Sequence, residues 1–204
     1  MLLDGEFVRK VLNASLGRFP TPTDVMGEVR RMLTTPGLAE LSLYRIFYYT
    51  ADPLAGVTSN PLDGTRINFA ATAVYSKNRD FIDQIEAEPD VSVRRGVLVH
   101  QGWEIGSAAV TALVAKRKTS VSAHDLQPKI QQKGVDMRIG LDIASLALKR
   151  LVSTIVVVSG DSDLVPAMKL ARREGLRVYL DTLGSRQVRR ELKIHADRVI
   201  ASLP

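Results

Sequence analysis

The stretch that decides the fold is residues 155–163, which read IVVVSGDSD. The first four residues are apolar and β-branched, a pattern typical of a strand buried on both faces of a parallel sheet. A helical pattern follows over 164–174, stops at Gly175, and gives way to a second apolar run at 176–180. Strand, helix and strand in this order predict a βαβ unit within an α/β fold.

Two aspartates, Asp161 and Asp163, come directly after this strand, where ligands of open α/β sheets bind. Two carboxylates this close repel each other unless a cation or a proton joins them. The chain has no cysteine and three widely separated histidines, which argues against thiolate chemistry and against a histidine-rich zinc site. The residues that remain favour a hard cation on oxygen ligands, Mg²⁺ or Mn²⁺.

Composition sets the broad class of the protein. The 204 residues suffice for a single domain over 1–204, within which residues 54–130 are the hardest to assign. No apolar run approaches the roughly 20 residues that span a bilayer, and the start lacks a secretory-signal pattern, so we expect a cytoplasmic location and no membrane association. The formal charge of +6 and the pI near 9.7 favour a polyanionic partner.

The rest of the chain alternates between strand and helix patterns. The expected elements are a strand end at 2–4, helices at 7–16 and 25–33, a strand at 41–49, a surface loop at 54–66, a helix at 68–87, one or two strands at 91–100, an exposed loop at 116–118, a mostly buried helix at 136–151, a basic helix at 187–196 and a strand at 198–203.

Further acidic residues accompany Asp161. Asp4 repeats its arrangement, an acid at a strand end with a helix beginning just after. Asp136 is expected to be a helix N-cap, and Asp163 is also an apt N-cap. Asp142 lies between apolar neighbours, where a carboxylate needs either a metal or an ion pair, with Lys133, Arg138 or Lys149 as the candidate partners.

A combination of motifs in this order resembles the NYN domain, and more narrowly the LabA-like branch of the PIN-like nuclease superfamily. The motifs are LDGE at 3–6, KGVD at 133–136, Asp142, and SGDSD at 159–163. Weaker similarities are found at 47–49 and 175–178, and the resemblance extends from Asp4 to Ile200.

The resemblance implies a Rossmann-like (PIN-like) three-layer α/β/α sandwich with a mostly parallel central sheet. It further implies Mg²⁺ or Mn²⁺ binding and endonucleolytic hydrolysis of RNA. The implied metal ligands are Asp4, Asp136, Asp161 and Asp142, and the implied catalytic set is Asp4, Asp136, Asp161 and Asp163. The chain departs from the family pattern at Phe7, where the family usually has Asn, and at 153–154, where it lacks an acidic residue.

Clusters of basic side chains predict a surface that follows the RNA phosphates. The segments 116–118 and 186–193 are favoured because each concentrates several positive charges, with no acid inside the first segment and one acid, Glu191, inside the second. The expected partner is single-stranded RNA, and the sequence leaves homodimer formation open. The expected nucleic-acid-binding residues are Lys116, Arg117, Lys118, Lys133, Arg186, Arg189 and Arg190.

Other functions compete with a ribonuclease. A haloacid-dehalogenase-like phosphatase and a metal-dependent glycosyltransferase also use two aspartates one residue apart, but the late position of the pair and the length of the chain count against them. A dinucleotide oxidoreductase is disfavoured because no glycine-rich phosphate loop follows either strand. From another class, an RNA-binding or regulatory NYN module with weak or no catalysis is the main alternative, favoured by Phe7 and the short first strand.

Overall fold

The computed structural model describes residues 1–200. The strands are β1 (Leu2–Asp4), β2 (Ile46–Ala51), β3 (Val57–Ser59), β4 (Arg66–Asn68), β5 (Val91–Ile105), β6 (Leu126–Lys133), β7 (Thr154–Val158), β8 (Arg177–Asp181) and β9 (Arg198–Ile200). The α-helices are α1 (Gly5–Leu16), α2 (Pro22–Leu33), α3 (Ala73–Glu86), α4 (Ser107–Val114), α5 (Val135–Leu148), α6 (Val165–Arg173) and α7 (Arg190–Ile194).

The central sheet has seven strands in the order β6-β5-β2-β1-β7-β8-β9. Pairing is parallel between β1 and β2, β1 and β7, β7 and β8, and β8 and β9, whereas β5 and β6 are antiparallel. This mixed α/β architecture, a mostly parallel sheet flanked by helices, confirms the predicted fold class and is consistent with a PIN-like α/β/α sandwich.

The chain divides into two compact units. Among the described residues, the first comprises 1–50, 81–96 and 134–200, and the second comprises 51–80 and 97–133. The prediction of a single domain over 1–204 therefore stays a prediction. Within the 200 described residues, no helix is both long and apolar enough to cross a bilayer.

The sheet of the first unit has a hydrophobic cluster on each face. Side chains of β7 alternate between them, with Ile155 and Val157 in the cluster shared with α5 and α6, and Val156 and Val158 in the cluster shared with α1 and α2. This is why the strand is apolar at each of its four buried positions, 155–158: a parallel strand covered on both faces has no side for a polar residue.

Several predicted boundaries are wrong for local reasons. The second strand begins at Ile46, so 41–45 lie outside it, and the expected loop at 54–66 contains β3, which pairs with β4 in an antiparallel hairpin. These strands are three residues long and mostly exposed, so they lack the apolar alternation that identifies a strand in sequence. The basic helix shortens to Arg190–Ile194, and the last strand is Arg198–Ile200, while positions 201–203 of that prediction lie outside the described residues.

Helix α5 differs from its prediction in two respects. Its N-cap is Gly134 in a left-handed conformation, φ +77°, so Asp136 lies inside the first turn and does not cap the helix. The helix is also not mostly buried: Ile139 and Ile143 are in the core, but Met137 is 68% exposed, and the other apolar residues of its outer face are exposed to a similar degree. Apolar residues on both helical faces predict burial of both, but only the inner face is covered.

Gly5 sets how closely α1 approaches β2. A Cβ at this position would lie 2.5 Å from the Tyr49 carbonyl oxygen and 2.7 Å from the Tyr48 ring, both in the middle of the core. Backbone cannot yield as a flexible side chain does. The close approach therefore requires glycine.

We predict that Gly5→Ala lowers the free energy of unfolding by about 2–3 kcal/mol, because the added methyl overpacks a rigid contact. Gly27→Ala is the matched control: Gly27 is inside α2, and a methyl group added there would contact no other atom, so alanine should add about 0.5–1 kcal/mol. Urea unfolding of both variants measures the difference. Equal effects of the two substitutions would contradict the packing argument.

Candidate functional site

Asp4 occupies a fixed position at the carboxyl end of β1. One carboxylate oxygen accepts hydrogen bonds from the backbone N–H groups of Glu6 and Phe7, both at 3.2 Å, and so caps α1. The other oxygen accepts a 2.9 Å bond from the Ser159 hydroxyl. The side chain is buried, and all of these contacts restrain it. The Asp4 side chain is therefore held in place although β1 has only three residues.

Asp161 follows β7 and lies next to the same serine. Its backbone N–H donates to Ser159 Oγ at 3.1 Å, and its carboxylate accepts from the Asp163 N–H at 2.9 Å. Asp161 thereby caps the short 3₁₀ turn Ser162–Leu164 that leads into α6. The capping role that the sequence suggested for Asp163 belongs to Asp161, and the Asp163 side chain is exposed.

Ser159 is a site residue that the sequence did not predict. Its hydroxyl donates to Asp4 and accepts from the backbone of Asp161, so it joins the ends of two neighbouring strands. A serine that directly follows a wholly apolar strand is the signal that could have identified it, because a buried hydroxyl needs partners.

Five carboxylates lie close enough for their charges to act on one another: those of Asp4, Glu6, Asp136, Asp161 and Asp163. Burial raises the pKa of Asp4, the bonds from Phe7 and Ser159 oppose this, and Asp136 and Glu6 raise it further. Partial burial raises the pKa of Asp136 first, and the charges of Asp161, Asp163 and Glu6 add to the rise. We name these five residues the acidic cluster.

The acidic cluster fits a hard divalent cation by its chemistry. All of its side-chain donors are carboxylate oxygens, which Mg²⁺ and Mn²⁺ prefer. Among residues 1–200, none of the five forms an ion pair with a basic side chain, so their charge is uncompensated. The side chains are not drawn together into a ligand shell: in the described part of the chain, no three acidic or histidine residues have metal-holding positions.

Asp142 has protein partners of its own. Its carboxylate accepts from the Tyr49 hydroxyl at 2.9 Å and from Arg94 Nε at 3.0 Å. The Arg94 guanidinium also lies 5.0 Å from the centre of the Phe47 ring. None of the three ion-pair partners suggested by the sequence is involved. The metal-ligand role of Asp142 stays a prediction, which these contacts do not favour.

An open cleft of about 870 Å³ lies beside Asp4 and Asp161. It lies between α1 and the loop 183–188, and Phe7 and Val188 form apolar parts of its wall. Two cations also line it, Lys10 and Arg186. Arg186 was expected to bind nucleic acid, whereas Lys10 is not among the predicted residues, although it lies one helical turn after Phe7 on α1.

The other predicted nucleic-acid-binding residues are distributed over both units. Arg189 and Arg190 are exposed at the start of α7, outside the lining of the cleft. The remaining four, Lys116, Arg117, Lys118 and Lys133, belong to the second unit.

The expectation that 116–118 lacks a compensating acid is wrong. Lys118 forms an ion pair with Asp125, which lies seven residues later in a turn capped by Ser122. The Lys118 ammonium, together with the Ser122 backbone and hydroxyl, lowers the pKa of Asp125 to about 2. The charge of Lys118 is therefore partly compensated by an acid of the second unit.

Comparison with known proteins adds a family and a fold. The family described as the NYN domain matches residues 62–203, which include Asp136, Asp161 and Asp163 but not Asp4. A Sinorhizobium fredii protein named "Uncharacterized protein y4oD" is 44% identical over 50 residues, which cover 24% of this chain and 23% of that protein. A crystal structure of a Vibrio parahaemolyticus protein of unknown function aligns with a TM-score of 0.52 at 14% identity, over 98% of this chain and 89% of the other.

We predict that Asp136→Asn stabilises the metal-free protein at pH 7. The pKa of Asp136 is raised in the folded state, so the ionised carboxylate costs stability above that pKa, and the cost disappears below the ordinary value near 3.8. Because the side chain is partly exposed and solvent screens its charge, the expected rise in Tm is small, about 1–2 °C. Thermal melts from pH 3.5 to 8 measure it, and a gain that persists at the acid end would contradict the assignment.

We predict that Tyr49→Phe lowers the free energy of unfolding by about 1.5 kcal/mol, because a carboxylate loses a buried hydroxyl donor. Asp142→Asn should also destabilise the protein, and the double variant should cost less than the sum of the two. Mn²⁺ titration of Asp142→Asn provides the second measurement. We expect the variant to bind Mn²⁺ with the same affinity as the wild type. Loss of Mn²⁺ binding would instead support Asp142 as a metal ligand.

Proposed function

Because the chain belongs to the NYN domain family, whose members are generally nucleases, we propose that it is a Mg²⁺- or Mn²⁺-dependent endoribonuclease. The proposed substrate is single-stranded RNA, and the proposed active centre is the acidic cluster at the carboxyl edge of β1 and β7. The assignment to the LabA-like branch is part of the proposal and rests on the SGDSD and KGVD motifs.

The observation that carries the proposal is the uncompensated negative charge of the acidic cluster. Burial and repulsion from neighbouring carboxylates raise the pKa of Asp4 and Asp136. If these carboxylates had no function, we would expect a basic side chain to compensate their charge. Asp181, at the end of β8, is relieved in this way by Arg31 at 2.7 Å. Among the residues that the structure describes, no basic side chain does the same for Asp4 or Asp136.

The proposed division of work follows from where each side chain lies. Asp4, Asp136, Asp161 and Asp163 would hold the cation, and Ser159 fixes the direction of the Asp4 carboxylate. When bound there, the cation would supply an activated water and would neutralise charge on the phosphate oxygens.

In this proposal, the RNA strand binds in the cleft beside the acidic cluster. Lys10 and Arg186 would hold phosphates there, next to Asp4 and Asp161. The ring of Phe7, which lies against Gly160, offers an apolar surface for a base. Phosphate contacts of this kind carry little sequence information, so we expect weak base preference.

A second candidate function is RNA binding without cleavage. It is favoured by the positions of the carboxylates, of which no three in residues 1–200 stand as a ligand set. It is also favoured by Phe7. The asparagine that the family usually has at this position would place a polar amide next to Gly160 and Asp4, and phenylalanine does not supply that group. In this case the acidic cluster would bind a cation that only bridges the protein to phosphate.

We predict that Asp161→Asn lowers Mn²⁺-dependent RNA cleavage by on the order of 100-fold, because a cation ligand is lost while the cap of the 3₁₀ turn is retained. Glu40→Gln is the matched control, since Glu40 is an exposed carboxylate outside the acidic cluster. Degradation of a labelled oligoribonucleotide at fixed Mn²⁺ measures the rates.

The outcomes separate the two candidate functions. Equal cleavage by both variants would remove Asp161 from the reaction. RNA binding by the wild type with no cleavage at any Mn²⁺ or Mg²⁺ concentration would favour the binding module.

A further inference from the structure

A second and larger cleft in the first unit carries opposite charge to the acidic cluster. Its volume is about 1320 Å³, and it runs beside α6. The basic side chains that line it are Lys169, Arg172, Arg173, Arg177 and Arg198, against one acid, Asp197. We name this cleft the basic groove.

Two of the five basic side chains have structural roles. Arg172 forms an ion pair with Asp197 at 2.9 Å, and the same carboxylate accepts from the Val178 backbone at 2.7 Å. Arg198 donates to the Pro36 carbonyl at 2.8 Å. These contacts tie the wall of the groove together, so neither guanidinium is fully available to a ligand.

The other three cations have no such role. Lys169, Arg173 and Arg177 are exposed, and in residues 1–200 none of them forms an ion pair or a side-chain hydrogen bond. Favourable interaction with the carboxyl end of a helix explains Arg173, but it does not explain Lys169 in the middle of α6 or Arg177 at the start of β8. Three uncompensated cations in one concave surface indicate an anionic ligand with several charges.

Helix α6 extends from the acidic cluster along the basic groove. The lining of the groove begins at Pro166, three residues after Asp163, and continues to Lys169 and Arg173 along the outer side of α6. At about 1.5 Å per residue, Pro166 and Arg173 are about 10 Å apart along the helix axis. A ligand in the groove would therefore extend from near the acidic cluster along the whole length of α6.

We propose that the basic groove binds the sugar-phosphate backbone of a single RNA strand outside the nucleotides at the acidic cluster. The identity of the ligand as RNA rests on the proposed function, whereas the anion site itself rests on the groove. Lys169, Arg173 and Arg177 each contact a phosphate, and binding is independent of sequence because backbone phosphates are the same at every nucleotide. The groove thus lengthens the binding site and favours long strands over short ones.

The test measures RNA binding by fluorescence anisotropy. The buffer contains EDTA, which removes divalent cations and so prevents cleavage during the measurement. The groove variant is Lys169→Gln, Arg173→Gln and Arg177→Gln together, and the matched control is Arg30→Gln, Arg66→Gln and Lys149→Gln, which removes the same charge from exposed positions outside the groove. The probes are a 12-nucleotide RNA, a trinucleotide, duplex DNA and inorganic polyphosphate.

We expect the groove variant to bind the 12-nucleotide RNA about tenfold more weakly than the control at low salt. The slope of log affinity against log salt should fall by about 2, since each phosphate contact on a single strand contributes about 0.7. The loss should be smaller for the trinucleotide.

Equal affinity of the groove variant and the control for the 12-nucleotide RNA would overturn the proposal. A larger loss for duplex DNA or for polyphosphate than for RNA would also overturn it, because the groove would then serve another anion. Failure of the ribonuclease proposal has a different signature: Asp161→Asn would leave cleavage unchanged while the groove variant still loses RNA affinity.

Discussion

The hydroxyl of Ser159 makes the contact on which the candidate site depends. Parallel pairing of β1 with β7 aligns Leu3 with Val158, and the next step along both strands brings Asp4 beside Ser159. The hydroxyl then donates to Asp4 and accepts from the backbone of Asp161. Two acids that are 157 positions apart in the chain are thereby held at one edge by strand register and one side chain.

Some aspartates of the first unit are compensated by a basic side chain and others are not, and this contrast separates a structural role from a functional one. Asp181 is fully buried and is neutralised by Arg31, with a further bond from the Leu183 backbone, and Asp142 is neutralised by Arg94. Burial of an unpaired carboxylate is costly, so these arrangements are what folding stability alone would select. Asp4 is also buried, but its partners within residues 1–200 are hydrogen-bond donors without charge. Within residues 1–200 no basic side chain forms an ion pair with it, and in the proposed function the bound cation would compensate its charge.

Sequence was sufficient for the fold class and for placing Asp4 and Asp161 at the ends of two strands, because parallel strands end at the same edge of a sheet. The metal-binding and catalytic roles of the two residues stay predictions. It was insufficient wherever the partner is distant or the local signal is weak. Arg94, the partner of Asp142, is 48 positions away on β5, and nothing local specifies that approach. The sequence predicts an aspartate cap for α5 because Asp136 is a good capping residue, whereas Gly134 takes that position through its left-handed conformation.

Charge is separated along α6 in the direction that its own dipole favours. Acids of the 3₁₀ turn precede its first residue, and Arg172 and Arg173 are in its last turn. A helix stabilises negative charge at its amino end and positive charge at its carboxyl end. Under the proposed function, the same distribution of charge would give an RNA strand a cation-dependent site at one end of the helix and direct phosphate contacts at the other. The positions of Arg172 and Arg173 therefore favour folding as well as the proposed binding, whereas Lys169, in the middle of the helix, and Arg177, at the start of β8, gain nothing from the dipole.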